Sequence, residues 1–310
     1  LRILVTGGAG FIGSHVVDAF VAAGHDVAVV DSFWKHGGGR RENLNPRVKL
    51  HEVDIRDAAL ADVFVSFKPE LVSHHAAQHS VAISTEDPSY DADVNVKGLL
   101  NILSLSARNG VRKVIYASSA ATYGTPSYLP IDEAHPQRPE SPYGITKMVG
   151  EHYLRYYAGS GGPVFTALRY GNVYGPRQDP NGEAGVIAIF ASRILGGKPI
   201  RIDWDGEQQK DFVYVGDIAR ANALALTKGD GETINIGNGA GTSVNALHRA
   251  IVHVVGRDVE VEHASKRAGD VHSCVFAIEK AKSVLGWQPS VDLTKGIGET
   301  VSFFRQTKPS

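Results

Sequence analysis

Thr6-Gly7-Gly8-Ala9-Gly10-Phe11-Ile12-Gly13 follows directly on the apolar run Leu1-Arg2-Ile3-Leu4-Val5. It opens a stretch in which Val16, Val17, Phe20 and Val21 recur at helical spacing after Ser14. A strand running through glycines into a helix is built for a dinucleotide. The glycines allow the tight turn, the close approach of backbone to a pyrophosphate, and the packing of helix on strand. The helix N-terminus then offers unpaired N–H groups and a partial positive charge to phosphates. The next strand, Asp26–Val30, ends at Asp31. An acidic residue about 20 positions past such a loop hydrogen-bonds the adenosine ribose hydroxyls. It repels a 2′-phosphate, so NAD is expected rather than NADP. Lys35, Arg40 and Arg41 lie nearby and pull slightly the other way.

Outward from this loop, strand and helix patterns alternate. Strands are expected at Val48–Asp54, Leu71–His75, Val111–Ser118 and Val164–Tyr170. Helices are expected at Ala58–Phe67, Tyr90–Asn109 (closed by Gly110) and Tyr143–Tyr157. The fold class is therefore α/β, a Rossmann-type doubly wound parallel sheet. Beyond Gly171 the alternation fails, and Pro176, Pro180, Gly182 and Gly185 punctuate a loop before an apolar helix, Val186–Leu195. Residues 1–171 should form the dinucleotide domain, with 211–237 returning to it. Residues 172–310 should form a smaller, interleaved substrate-binding lobe.

At 310 residues the chain can bury a large core. Its 32 basic and 33 acidic residues give no bulk field for nucleic acid or a membrane surface. The single cysteine excludes an internal disulfide framework and fits a reducing, cytoplasmic compartment. No apolar run approaches the roughly 20 residues of a membrane span. His74, His75 and His79 have no acidic or cysteine partner at ligand spacing, so no metal site is expected there.

A second motif, Tyr143-Gly144-Ile145-Thr146-Lys147, puts a phenol and an ammonium on one helix face. A free tyrosine titrates near pH 10, roughly three units too high for a base at neutral pH. A nearby cation is expected to lower it. Tyr143 would then take a proton from a hydroxyl as hydride leaves the same carbon. Ser119, at the C-terminal end of a strand, would share the hydrogen bond at the reacting oxygen.

These stretches together resemble the extended short-chain dehydrogenases/reductases, in the nucleotide-sugar epimerase branch. The resemblance spans essentially the whole chain. It is carried by Thr6–Gly13, Asp54-Ile55, His75–Gln78, Asn95-Val96, Ala117–Ser119, Tyr123-Gly124, Tyr143–Lys147, Arg169–Gln178, Asp211–Val215 and Arg267–Asp270. It implies a tightly held NAD lined by Gly7, Gly10, Phe11, Ile12, Gly13, Asp31, Asp54, Ile55, Ala76, Ala77, Gln78, Asn95, Ser118, Tyr143, Lys147 and Tyr170. Asp54 and Ile55 would meet the adenine, and Lys147 the nicotinamide ribose. It implies a UDP-sugar held by Ser119, Asn172, Val186, Lys210, Phe212, Arg267, Asp270 and Cys274, with Ser119, Tyr143 and Lys147 catalytic. Lys210 stands where the family more often has Arg, so the charge is kept and the bidentate fork lost.

The implied reaction inverts C4 through a transient 4-keto sugar, on UDP-glucose and UDP-galactose. Related dehydratases carry an Asp-Glu pair after the residue matching Ser119, and decarboxylases of the group carry Glu at the second of those positions. Here those positions are Ala120 and Ala121, which leaves simple inversion. Some 4-epimerases wall the sugar pocket with Tyr where this chain has Cys274. The smaller residue leaves room for a 2-N-acetyl group, so UDP-N-acetylglucosamine and its galacto epimer are expected substrates too. The resemblance also implies a homodimer through the helices Tyr90–Asn109 and Tyr143–Tyr157. Rival readings are a UDP-uronate or UDP-pentose 4-epimerase, an NADP-dependent sugar reductase, and a non-catalytic NAD-binding regulator. Gly37-Gly38-Gly39 has no role assigned by the sequence.

Overall fold

A computed structural model describes residues 1–34, 37–181, 185–266 and 271–307. The chain order is β1 (Arg2–Thr6), α1 (Phe11–Ala22), β2 (Asp26–Asp31), β3 (Lys49–Glu52), α2 (Leu60–Phe67), β4 (Leu71–His74), α3 (Val81–Glu86), α4 (Pro88–Ala92) and α5 (Gly98–Arg108). Then come β5 (Lys113–Ser119), α6 (Pro142–Gly159), β6 (Val164–Tyr170), β7 (Asn172–Tyr174), α7 (Val186–Leu195), β8 (Ile200–Asp203) and β9 (Gln209–Tyr214). The chain continues through α8 (Val215–Ala225), β10 (Glu232–Ile236), β11 (Gly241–Ser243), α9 (Val244–Val255), β12 (Val261–Ala264), β13 (Ser273–Cys274) and α10 (Leu293–Thr307).

Seven parallel strands form the large sheet in the order β3-β2-β1-β4-β5-β6-β10. This is the doubly wound arrangement, and the strand order reverses between β1 and β4. Its strands are near-continuous apolar runs because helices cover both faces. On one face Ile3, Val5, Ile115 and Leu168 pack with Val16, Phe20 and Ile218 of α1 and α8. On the other, Leu4, Val72, Val114 and Ala167 pack with Leu99, Ile102 and Leu154 of α5 and α6. Within 211–237, only 232–236 pairs with this sheet. The strand β9 lies instead in a small sheet with β7, β11 and β13. A third apolar cluster joins α7, α9 and α10 over β8 and β9.

The segment expected as one helix from Tyr90 is three pieces. Asp87 caps α4 by accepting from Tyr90 N–H at 2.9 Å, with Pro88 at the first helical position. The turn Asp93–Lys97 then widens to π geometry before α5. Apolar periodicity does not register one extra residue in a turn. The helix α6 begins one residue earlier than expected, because Ser141 accepts from Gly144 N–H at 3.1 Å and Pro142 opens the first turn.

Candidate active site

The site is a groove at the C-terminal ends of β1, β2, β4 and β5, where open α/β sheets take ligands. Gly7 leaves β1 with φ +68°, and a β-carbon there would stand 2.6 Å from the Ala76 nitrogen. At Gly13 a β-carbon would stand 2.1 Å from the Gly7 carbonyl oxygen. Only glycine lets the loop, the end of β4 and α1 come this close. The first backbone bond of α1 runs from Ser14 N–H to Gly10 O. The amides of Phe11, Ile12 and Gly13 therefore have no acceptor within the helix, and these residues line the groove with Gly7 and Gly10. This cradle fits a pyrophosphate.

At one end stands Asp31, whose carboxylate accepts from Ala9 N–H at 3.1 Å and Phe33 N–H at 3.0 Å. Burial raises its pKa against those two bonds. Gly39 passes so near that a β-carbon would sit 2.7 Å from Asp31 Oδ1. The glycine run 37–39 thus lines the groove beside the Asp31 carboxylate, which its sequence did not disclose. Asp54 and Ile55 line this end as well. Asp54 is fixed by Arg56 at 2.8 Å, which holds its carboxyl below the usual range. Trp34, which sequence reading passed over, reaches Tyr90 of α4 with ring centroids 5.2 Å apart, and both line the groove.

Ala76, Ala77 and Gln78 form the wall beyond β4, and Ser118 and Tyr170 the floor. Ser118 Oγ is turned away, donating to Glu151 Oε1 at 2.7 Å. The Tyr170 hydroxyl accepts from Asn222 at 2.8 Å. Asn95 stands behind the wall rather than in it. Its side chain is buried, accepts from Gln78 N–H at 2.9 Å and donates to Gln78 O at 2.9 Å and to Asp91 at 3.0 Å.

Tyr143 and Lys147 enter the groove from α6, one turn apart. Lys147 Nζ donates to Ala117 O at 2.9 Å and lies 5.1 Å from the Tyr116 ring centroid and 5.8 Å from that of Tyr143. The expected lowering of the phenol by Lys147 is not what the geometry gives. Burial pushes Tyr143 up to about 12, with a hydrogen bond from Ser119 opposing and the charge of Asp91 adding. The same burial brings Lys147 down to about 8, opposed by Asp91. Spacing alone carries no desolvation, and here desolvation wins. Ser119 also accepts from Ala121 N–H at 3.1 Å, which fixes the turn through Ala120 and Ala121.

The small sheet gathers other expected residues. Asn172 is registered with Phe212, and Cys274 with Lys210. Lys210 Nζ donates to Val271 O at 2.9 Å. Cys274 packs with Ala120 against the buried cluster of Tyr123, Ile131 and Phe276, and burial pushes its thiol up to about 11. Val186 opens α7. Arg267 and Asp270 lie outside the described residues. Among the described residues, no His/Cys/Asp/Glu group is arranged to hold a metal, and no helix is long and apolar enough to cross a membrane.

Sheet order, phosphate cradle and Ser-Tyr-Lys cluster define a dinucleotide-dependent enzyme acting on a carbon–oxygen bond. Comparison with known proteins makes this particular. Residues 3–237 match the profile of the NAD dependent epimerase/dehydratase family, and the chain belongs to that family, with NAD as its cofactor. It is 43% identical to the UDP-glucose 4-epimerase of Mycolicibacterium smegmatis, over 98% of this chain and 99% of that one. The UDP-glucose 4-epimerase of Thermotoga maritima, solved with UDP-glucose, superposes with a TM-score of 0.96 at 46% identity, covering 99% of each chain. That of Thermus thermophilus, solved with NAD, gives 0.94 at 44% identity, covering 99% of this chain and 100% of that one.

Proposed function

We propose that this chain is a UDP-sugar 4-epimerase that interconverts UDP-glucose and UDP-galactose. The observation that carries the reading is the pair Tyr143 and Lys147 lining the groove of an NAD dependent epimerase/dehydratase fold, with Ser119 acting on Tyr143 and alanine at 120 and 121. Bound NAD would supply a reversible acceptor for the C4 hydrogen and a positive charge that favours the phenolate. Tyr143 takes the proton of the sugar 4-hydroxyl as C4 is oxidised and returns it when C4 is reduced from the other face. Burial alone holds the phenol at about 12, so it must give up its own proton to solvent before it can act as the base, a loss that the positive charge of bound NAD would favour. Ser119 hydrogen-bonds the same oxygen. Lys147 holds an ammonium in the groove at neutral pH and binds the cofactor ribose.

Residues 1–171 with part of 211–237 carry the cofactor, and 172–310 the nucleotide sugar. Asn172, Lys210 and Phe212, with Val186, Arg267 and Asp270, grip the nucleotide while the sugar turns. Firm binding remote from C4 retains the keto intermediate. A cysteine at 274, smaller than the tyrosine of some 4-epimerases, would leave room for a 2-N-acetyl group. The protein acts as a cytoplasmic homodimer through α5 and α6, the latter exposing the large apolar residues Ile145 and Tyr156.

Proton NMR of the purified protein with UDP-glucose, and no added nicotinamide, tests this. The account expects galacto-type anomeric signals, and a fall in rate of about 10²–10⁴ in Tyr143→Phe. Absence of turnover even with NAD supplied would overturn it.

A further inference from the structure

Asp91 lies on α4 with no solvent exposure. One carboxylate oxygen accepts from Gln78 Nε2 at 2.8 Å and Asn95 Nδ2 at 3.0 Å, and the other from Thr146 Oγ1 at 2.8 Å. A buried carboxylate needs compensation by positive charge as well as hydrogen bonds. Among the described residues Asp91 makes no contact ion pair. Thr146, its third donor, is the chain neighbour of Lys147, and Lys147 is a buried cation that also makes no contact ion pair among them.

We propose that Asp91 is the counter-charge that keeps Lys147 an ammonium, and so is a positioning residue of this active site. The inference rests on the catalytic reading of Lys147 given above. Every other charged or titratable group facing Lys147 fails this role. From the end of β4 and the residue after it, His74 and His75 are both held neutral, lowered to about 3 by burial and by Lys147 itself. From β5, Tyr116 keeps its proton because burial raises it. On α6, Tyr143 is likewise protonated, and Glu151 is taken by Arg169 at 2.6 Å. Only Asp91 opposes the fall that burial imposes on Lys147.

Asp91→Asn removes the charge and can keep the network. Its oxygen still accepts from Gln78 and Asn95. Its amide can donate to Thr146, whose hydroxyl proton turns to Tyr143 O, 3.0 Å away. In the holoenzyme, carbon NMR of Cε-labelled lysine, with Lys147 assigned through Lys147→Arg, should show the Lys147 midpoint about one pH unit lower in Asp91→Asn than in wild type. The alkaline limb of kcat should move down by the same interval, with the rate near pH 6 approaching wild type. Thr146→Val, which keeps the charge, should leave the limb in place. Equal midpoints in wild type and Asp91→Asn would overturn the proposal. The NMR midpoint needs no substrate, so failure here is distinct from absence of epimerase turnover. If Asp91→Asn does not fold, Lys147→Met gives the reciprocal test. The Asp91 carboxyl, followed in carboxyl-labelled protein, should titrate about one unit higher than in wild type, and an unchanged midpoint would overturn the proposal.

Discussion

Ser118 and Glu151 are joined by a 2.7 Å hydrogen bond that turns one of two adjacent serines out of the active site. Ser119, one residue on, instead opposes the rise that burial imposes on Tyr143. Glu151 lies on α6 one turn beyond Lys147 and pairs with Arg169 of β6 at 2.6 Å, both side chains buried. Arg169 also donates to the Tyr123 hydroxyl at 2.6 Å, which donates to Asn235 at 2.7 Å. The network therefore ties the catalytic helix to three successive strands of the sheet, β5, β6 and β10.

Removing one partner of such a pair strands the other charge in the core. Glu151→Gln should lower the unfolding free energy by about 3–5 kcal/mol, read from denaturant titration. Replacing Glu151 and Arg169 together by apolar residues should cost less than the single change. A single-variant loss below about 1 kcal/mol, the value of an exposed pair, would contradict the burial argument.

At the phosphate cradle, Gly7→Ala forces a β-carbon against the Ala76 nitrogen at a backbone angle that L side chains rarely adopt. The variant should leave purification with its nicotinamide content at least tenfold reduced, measured after acid release. Wild-type content in the variant would show that the close approach is not needed.

Acid stability follows from His74, which burial and Lys147 hold at about 3. In the unfolded chain a histidine binds its proton near 6.5. Between these values the unfolded state carries the extra proton. Stability is thus full above about 6.5 and is lost as pH falls toward 3. His74→Asn, which keeps a hydrogen-bonding group for Thr6, should flatten the fall in unfolding free energy between pH 7 and 5. Identical slopes in the two proteins would rule His74 out as the source.

Cys274→Tyr should selectively depress turnover of UDP-N-acetylglucosamine, by tenfold or more relative to UDP-glucose. The added ring would enter the cluster of Tyr123, Ile131 and Phe276 beside Ala120. Equal loss of both substrates would sink the pocket reading.

Much of this was legible in the chain. The run Thr6–Gly13 declares its turn because Gly7 takes a positive φ and Gly13 closes on the Gly7 carbonyl within the same loop. Asp31 is legible because strand length fixes where β2 ends. Asp91 was not, because its role depends on donors at 78, 95 and 146 that only the tertiary fold assembles. The phenol was misread for a related reason: four-residue spacing reveals a neighbouring cation but not the burial that outweighs it. Asn95 was placed in the groove by resemblance, and its side chain is instead spent on Gln78, Asp91 and Thr146.

In the proposed mechanism C4 is oxidised and reduced within one site, with Tyr143 handling only the proton of the 4-hydroxyl. UDP-glucose carrying deuterium at C4 tests it most directly. The account predicts UDP-galactose with the deuterium still on C4 and none released to water, and no product with Tyr143→Phe on the same time scale. Product carrying a solvent proton at C4 would contradict it.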